Sequence, residues 1–425
     1  MRLRTAILLT LLAAGSSAAR GQNSAPDPIF SRVPFDRWIA EGDQTHFRWV
    51  TRLGAPELNG HQRLQIRVEI QVDGNELVDR RGHGQLVLLL QFQDSAQRVY
   101  QSHEILDLQE VKDDAGKSNI QYLQDAFILP GDYRVGMAIF DTKTREHSAV
   151  EKSLHVNPLR GDPLPGAWND LPPVELRRAL DPPDNWFLPN MTGHLRLPLV
   201  PRRPIRVEVL MNGSSPGPSR GLSVGTANNS NLANLLPALK VLSQIEMTGG
   251  AVHFTLLDIP NRRIAFEQEA PQQLDWASLR GALTEADPNK IDVRSLEHRE
   301  QNGQYFVEQV RQRLTAAGDA YPVLIVLSGP MTFTSGENTR PIEVQGKPAG
   351  KVYYLRYHLP PVRPPLGPMF DPSRSGRRNA SGGPPEAYDS LAPLLKPLQP
   401  RMFDIYTPEQ FRKALASLLE EIARL

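Results

Sequence analysis

Residues 158–204 carry eleven prolines, and this stretch limits the possible architectures more than any other. Each proline fixes φ and removes a backbone donor, so neither a long helix nor a central strand can run through it. The chain is thereby divided into a part before and a part after. Trp168, Trp186 and Phe187 are too apolar for a purely solvated tether. The segment is expected to be extended and to lie against one or both parts.

Before it, residues 45–157 read as strands. Leu64-Gln-Ile-Arg-Val-Glu-Ile-Gln-Val72 alternates apolar with polar, which buries one face of a strand and wets the other. Asp73-Gly74-Asn75 then supplies turn chemistry. Leu86 to Phe92 is almost wholly apolar, as in a central strand, and Tyr133 to Ile139 alternates again. Pro130-Gly-Asp-Tyr133 resembles the tyrosine corner of immunoglobulin-like sandwiches and also fits an ordinary type II turn. Short strands between frequent turns lead us to expect an antiparallel, immunoglobulin-like β-sandwich over 45–157, preceded by an N-terminal extension over 22–44.

From Pro204 the pattern alternates strands with helices. Ile205 to Met211 is a β-branched apolar strand, and Leu235, Leu236, Leu239 and Leu242 stripe one face of a helix with Asn234 as its N-cap. Ala251 to Leu257 and Ile264 to Phe266 form a hairpin around Pro260-Asn-Arg262. Val323 to Leu327 is a fully apolar strand, and Val352 to Tyr357 and Met402 to Tyr406 follow. The last helix opens with Thr407 as N-cap, Pro408 at its first position and Gln410 closing a capping box. This order predicts an α/β domain over 205–425, a mostly parallel Rossmann-like sheet between helices, with a Pro/Gly/Ser-rich insertion at 359–400.

The strand ending in Leu210-Met-Asn-Gly-Ser-Ser215, the 251–266 hairpin, Val323 to Gly329, Val352 to Leu355 and Ile405 to Phe411 occur in an order that resembles a von Willebrand A (vWA) domain. The whole chain resembles secreted bacterial vWA-related proteins, which pair a β-domain with a divergent vWA fold. That resemblance implies a site for Mg²⁺ or a similar ion, built from Asp-x-Ser-x-Ser, a Thr from a later loop and an Asp after the fourth strand. Laid onto the motif, Asn212 takes the Asp position, Ser214 the first Ser and Pro216 the second. Ser328-Gly329-Pro330 stands where Ser-Asp-Gly is usual, and residues 284–302 show no convincing Thr loop. Mg²⁺ dehydrates reluctantly and needs anionic oxygen. The resemblance therefore implies a degenerate adhesion site without metal, and no cofactor is expected. Asn212, Ser214, Ser215 and Ser328 would mark a partner-binding rim, flanked by long loops at 213–230 and 329–350.

The N-terminus has a charged start, a short apolar run from Ala6 to Ala14 and small residues before Gly21. This is the pattern of a secretory signal peptide over 1–21, cut after Ala19 or Gly21. The apolar run is too short to span a bilayer, so the mature chain is expected not to insert into a membrane. Cleavage after Gly21 would take the 48 basic residues down to 45 against 47 acidic ones. A chain this near neutrality has no global field to attract nucleic acid or anionic lipid. It contains no cysteine, so each core must hold by burial alone.

Catalytic signatures are missing from the sequence. The ten histidines are scattered, and there is no Gly-x-Ser-x-Gly, phosphate loop or His-Glu-x-x-His. Asp258 and Asp404 fall near strand ends. Arg160-Gly-Asp162 matches an integrin-binding tripeptide by letter only. The leading expectation is a non-enzymatic, exported protein-binding or adhesion-type module whose partner is another envelope or secreted protein. The alternatives are a metal-dependent adhesion or assembly factor, with acids such as Asp258 brought from elsewhere, and a hydrolase with an unrecognised site.

Overall fold

The structure is a computed structural model of the chain. It describes residues 27–42, 47–117, 119–176, 191–214, 224–270, 274–285, 299–315, 319–333, 342, 350–358 and 389–425. The signal-peptide expectation at 1–21 falls outside the described residues. Among those described, no helix is long and apolar enough to cross a membrane.

The strands in chain order are β1 (Trp49–Leu53), β2 (Glu57–Leu58), β3 (Leu64–Val72), β4 (Gln85–Asp94), β5 (Val99–Asp107), β6 (Ile120–Ile128), β7 (Gly131–Asp141), β8 (His147–Val156) and β9 (Val174–Leu176). They continue with β10 (Leu197–Leu199), β11 (Ile205–Asn212), β12 (Ile245–Met247), β13 (Gly250–Asp258), β14 (Arg263–Ala270), β15 (Tyr321–Ser328), β16 (Lys351–Tyr357) and β17 (Arg401–Ile405). Two compact units emerge. One comprises Met1–Val50, Gln71–Ile120 and Asp132–His155; the other comprises Thr51–Ile70, Gln121–Gly131 and Val156–Leu425.

The first unit is built on the sheet β5-β4-β7-β8. The apolar run in β4 makes it central, because it pairs antiparallel with both β5 and β7. One face of this sheet is covered by the chain's own N-terminal region. Phe30, Phe35 and Trp38 pack on Val87, Leu89, Ala138, Phe140 and Ala149, so the short helix Phe35–Glu41 belongs to the core. Gly136 makes room for it, since a Cβ there would sit 3.1 Å from the Phe35 ring. The expected turn at Asp73 is instead a helix start. The Asp73 carboxylate accepts from Asn75 N and Glu76 N and caps Gly74–Asp79.

The second unit contains most of the sheet β1-β3-β6-β9, with β2 on β3, and the parallel pair β10-β12. It also holds a six-stranded mixed sheet ordered β14-β13-β11-β15-β16-β17. β11 pairs parallel with β13 and β15, β16 and β17 follow in parallel, and β14 runs antiparallel on β13. Alternation in β11 sends Ile205, Val207, Val209 and Met211 to one apolar cluster, with the helices Val224–Leu242 and Pro408–Ala423. Leu210 joins Leu324 and Val326 in the other, under the helices Asn302–Thr315 and Leu391–Leu395.

The expected fold class, an immunoglobulin-like sandwich followed by a Rossmann-like vWA domain, is corrected. Among the described residues strand outweighs helix, and mixed parallel and antiparallel pairing is confined to one sheet. The stretch read as one sandwich does not form one compact unit, because 51–70 and 121–131 group with the C-terminal residues. Alternation identified the strands individually. It carries no information about which strands share a core, and that is where the class assignment failed.

One local expectation also changes. The helix containing Leu235 begins at Val224, which places Asn234 and Pro237 inside it and removes Asn234 from the cap. The proline-rich segment is part of the second unit's core through Leu171, Leu195, Leu197 and Leu199.

Candidate functional site

β11 delivers Asn212 to the carboxyl edge of the six-stranded sheet, where open sheets with parallel strands commonly place their ligands. Asn212 is followed by Gly213, whose N–H donates to Leu257 O at 3.1 Å. A Cβ at Gly213 would lie 2.8 Å from Leu256 Cδ1, so a larger residue here requires the Leu256 side chain to move.

Asn212, Ser214 and Ser328 converge, and all three are buried. The backbone N–H of Ser214 donates to Asn212 Oδ1 at 3.0 Å. That contact fixes the orientation of the amide, because an N–H must meet oxygen. Asn212 Nδ2 then donates to Ser328 Oγ at 3.0 Å and reaches Met331 Sδ at 3.4 Å. Ser214 Oγ accepts from Ile259 N at 2.9 Å, and Ser328 Oγ donates to Gly329 O at 2.6 Å. One neutral cluster therefore ties together the exits of β11, β13 and β15. Ser215 lies outside the described residues, as do Pro216, 215–223, 334–341 and 343–349 of the flanking loops.

A residue missed by the sequence reading completes the edge. Asp389, in the stretch read as an insertion, is buried. Its Oδ1 accepts from Met331 N at 3.3 Å and Leu391 N at 3.1 Å, and its Oδ2 accepts from Tyr354 Oη at 3.0 Å. Ser390 adds two bonds to the same stretch: its N–H reaches Met331 O at 2.7 Å, and its Oγ accepts from Phe333 N at 3.0 Å. Burial, together with the neighbouring Asp389 carboxylate, pushes the Tyr354 hydroxyl well above its ordinary pKa, so it remains a donor. Asp389 thus pins the segment after β15. The only sequence signal was a lone acid just before the Leu391–Leu395 apolar helix, and nothing local marks its partners.

This arrangement does not fit a divalent cation. A hard ion needs several convergent oxygens, preferably anionic. Asn212 offers its amide nitrogen toward Ser328, and Asn212 Oδ1 is taken by the Ser214 N–H. The Asp389 oxygens are occupied by donors. Asp258, the acid considered as a substitute, accepts from Arg263 Nε at 3.0 Å and Asn261 Nδ2 at 2.8 Å. Among the described residues no group of three His, Cys, Asp or Glu side chains is placed to hold a metal.

The other sequence candidates are tied into structure as well. His253 lies beside Glu269, with Nε2 to Oε1 at 2.9 Å. Asp404 Oδ1 accepts from Arg356 Nε at 2.6 Å and pairs with His358 Nε2 at 2.8 Å. Asp162 of the Arg-Gly-Asp tripeptide is gripped by buried Arg412, with Nε to Oδ1 at 2.6 Å and Nη2 to Oδ2 at 2.8 Å. Arg412 also donates to Leu164 O at 2.9 Å and lies 4.6 Å from the Trp168 ring centroid. An aspartate held in this fork is not presented as a free recognition tripeptide.

No protein-family model matches the chain, and no curated protein matches it in sequence. Among solved structures, a glycosyl hydrolase family 2 member from Bacteroides cellulosilyticus DSM 14838 aligns over 30% of this chain and 16% of its own, at 9% identity and a TM-score of 0.17. Another family 2 glycosyl hydrolase structure from Bacteroides cellulosilyticus aligns over 70% and 36%, at 9% identity and 0.18. A family two carbohydrate esterase from Cellvibrio japonicus aligns over 69% and 82%, at 12% identity and 0.14. The chain thus spans about a sixth and about a third of the two hydrolase chains. TM-scores this low define neither a shared fold nor a shared activity.

Proposed function

We propose that this protein is a non-catalytic, exported binding module that engages another envelope or secreted protein through the loops at the carboxyl edge of its six-stranded sheet. The observation that carries this reading is the neutral, buried cluster of Asn212, Ser214 and Ser328. These side chains bond to one another and to Ile259 N, Gly329 O and Met331 Sδ, and none of the three carries a charge with which to activate a substrate. What the cluster does is fix the backbone from which long loops depart. Rigid placement of a loop lowers the entropy lost on binding. The three side chains are therefore braces, and the contacts with the partner fall to the loops they hold. Ser215 belongs to the same rim by sequence alone.

Export rests on the signal-peptide pattern of residues 1–21 and on the absence of cysteine from the sequence. The test is site-directed photo-crosslinking in the exporting cell. A crosslinker placed in the 215–223 loop should trap a discrete partner, and the same group at exposed Ile264 should not. Identical products from both positions would overturn the reading. So would a rise in melting temperature with Mg²⁺ that EDTA reverses, since a ligand specific to the native state stabilises it.

A further inference from the structure

The far edge of the same sheet carries a second surface. β17 pairs with β16 on one side and, among the described residues, with no strand on the other. The 357–405 register sets Met402 beside Tyr354 and Asp404 beside Arg356. Met402 and Asp404 share a parity and so one face of β17; Tyr406, just past the strand, lies beside them because it stacks on His358, which Asp404 holds. Met402 is 38% exposed and Tyr406 is 48% exposed, both high for large apolar side chains.

Tyr406 is also held in place. Its ring stacks on His358 at 4.2 Å between centroids and 9° between planes, and its backbone N–H donates to Gln410 Oε1 at 2.7 Å. His358 is buried and fixed by Asp404. An exposed aromatic with its orientation already fixed loses little entropy on being covered, and such residues dominate binding energy at interfaces. Between the two apolar residues sits a carboxylate. Asp404 is 44% exposed, whereas the nitrogen-bearing side chains behind it, Arg356 and His358, are 11% and 8% exposed. An approaching partner meets the acid, not the bases. Burial would raise the Asp404 carboxyl, but hydrogen bonds from Arg356 and His358 outweigh it and hold the group below the ordinary carboxylate value, so it stays ionised.

We infer that β17 is a docking edge for an extended peptide segment of a partner, added as a further strand, with a basic residue over Asp404 and apolar residues two positions to either side over Met402 and Tyr406. Strand addition draws affinity from the backbone ladder and selectivity from alternate side chains. These three residues supply apolar, acidic and apolar positions in that order, so the complement is apolar, basic and apolar. This surface is independent of the rim proposed above.

The probe is a short fluorescein-labelled peptide in which valine, arginine and valine alternate with threonine, titrated into the full-length protein by anisotropy. Saturable binding is expected, weakened roughly tenfold or more by Tyr406→Ala and preserved by Tyr406→Phe, as for a hot-spot aromatic. Replacing the central arginine of the peptide with glutamate should abolish binding, and N-methylation of its ladder amides should do the same. Failure of the arginine peptide to bind saturably overturns the inference. Equal binding by the glutamate peptide, or by a Tyr406→Ala protein of unchanged melting temperature, does so as well.

Discussion

Two buried polar clusters brace the second unit by opposite means. At the carboxyl edge, Asn212, Ser214 and Ser328 are neutral and bond to one another and to neighbouring backbone groups. Elsewhere in the unit, Arg412 brings a full charge inside and meets it with Asp162. Arg412 is among the largest fully buried side chains of the chain. A neutral cluster loses one hydrogen bond at a time. A buried ion pair fails as a whole, because removing either partner strands the other in a poorly solvating interior. Both devices do the same task of holding segments without regular structure against the sheet layers. They differ in how they should break.

The sharpest contrast comes from Arg412→Ala. It leaves the part-buried Asp162 without its cation and Leu164 O without its donor, and a loss of about 3–4 kcal/mol in unfolding free energy is expected. Chemical denaturation of the two proteins measures it. A loss no larger than that of a neutral-cluster variant would erase the distinction between the clusters. Next is Asp389→Ala, which strips acceptors from Met331 N, Leu391 N and Tyr354 Oη. At about 1 kcal/mol per lost bond the cost is about 3 kcal/mol. Amide exchange should localise the loosening to the segment 329–333, while amides near Asp162 keep their protection.

These two clusters also mark the limit of what the sequence disclosed. Elements driven by local pattern were legible. β3, β11, β15 and β16 follow their apolar runs, and the last helix carries the full Thr407–Gln410 capping box. The β13-β14 hairpin was readable too. Asn212, Ser214 and Ser328 were singled out by motif position, and they do come together. Asp389 and the Arg412–Asp162 pair were not visible. Asp389 meets Met331 across 58 residues, and Arg412 meets Asp162 across 250. No periodicity encodes contacts at such separations. The covering role of Phe30, Phe35 and Trp38 was missed for a related reason, since a helix of seven residues is too short to write a period.

The neutral character of the Asn212 cluster can be challenged directly by Asn212→Asp. The substitution replaces the donor to Ser328 with a carboxylate oxygen and buries a charge without a cation. A destabilisation of about 2 kcal/mol at neutral pH is expected, the size of an unsatisfied buried group. Desolvation raises the folded-state pKa of such an acid. The penalty is therefore complete above that raised value and fades as pH falls toward the unfolded value. If Mg²⁺ instead restored the stability of Asn212→Asp, the edge would be a cation pocket lacking one charge, and the comparison with the Arg412 clamp would fail.

Acid provides the finest test, because only one of the two clusters contains a group able to titrate against it. Burial would raise the Asp162 carboxyl, but hydrogen bonds from Arg412 and Leu164 N, with the Arg412 charge, outweigh it and set the folded value below the ordinary 3.8. For a depressed acid the stabilisation is fully present above the unfolded pKa and is lost as pH falls through the folded one. Asp162→Asn removes this titration and leaves Arg412 without its counter-charge at every pH. The variant should therefore be less stable than the parent at neutral pH and approach it as pH falls below about 3.8, where the parent's own Asp162 takes up its proton. Ser214→Ala, which deletes the acceptor for Ile259 N and changes no charge, should lose a constant increment and keep the parent's acid slope. Urea midpoints across this range separate the outcomes. Parallel slopes for all three proteins would mean that the Arg412 pair contributes nothing to acid sensitivity, and that the two clusters brace the unit in the same way after all.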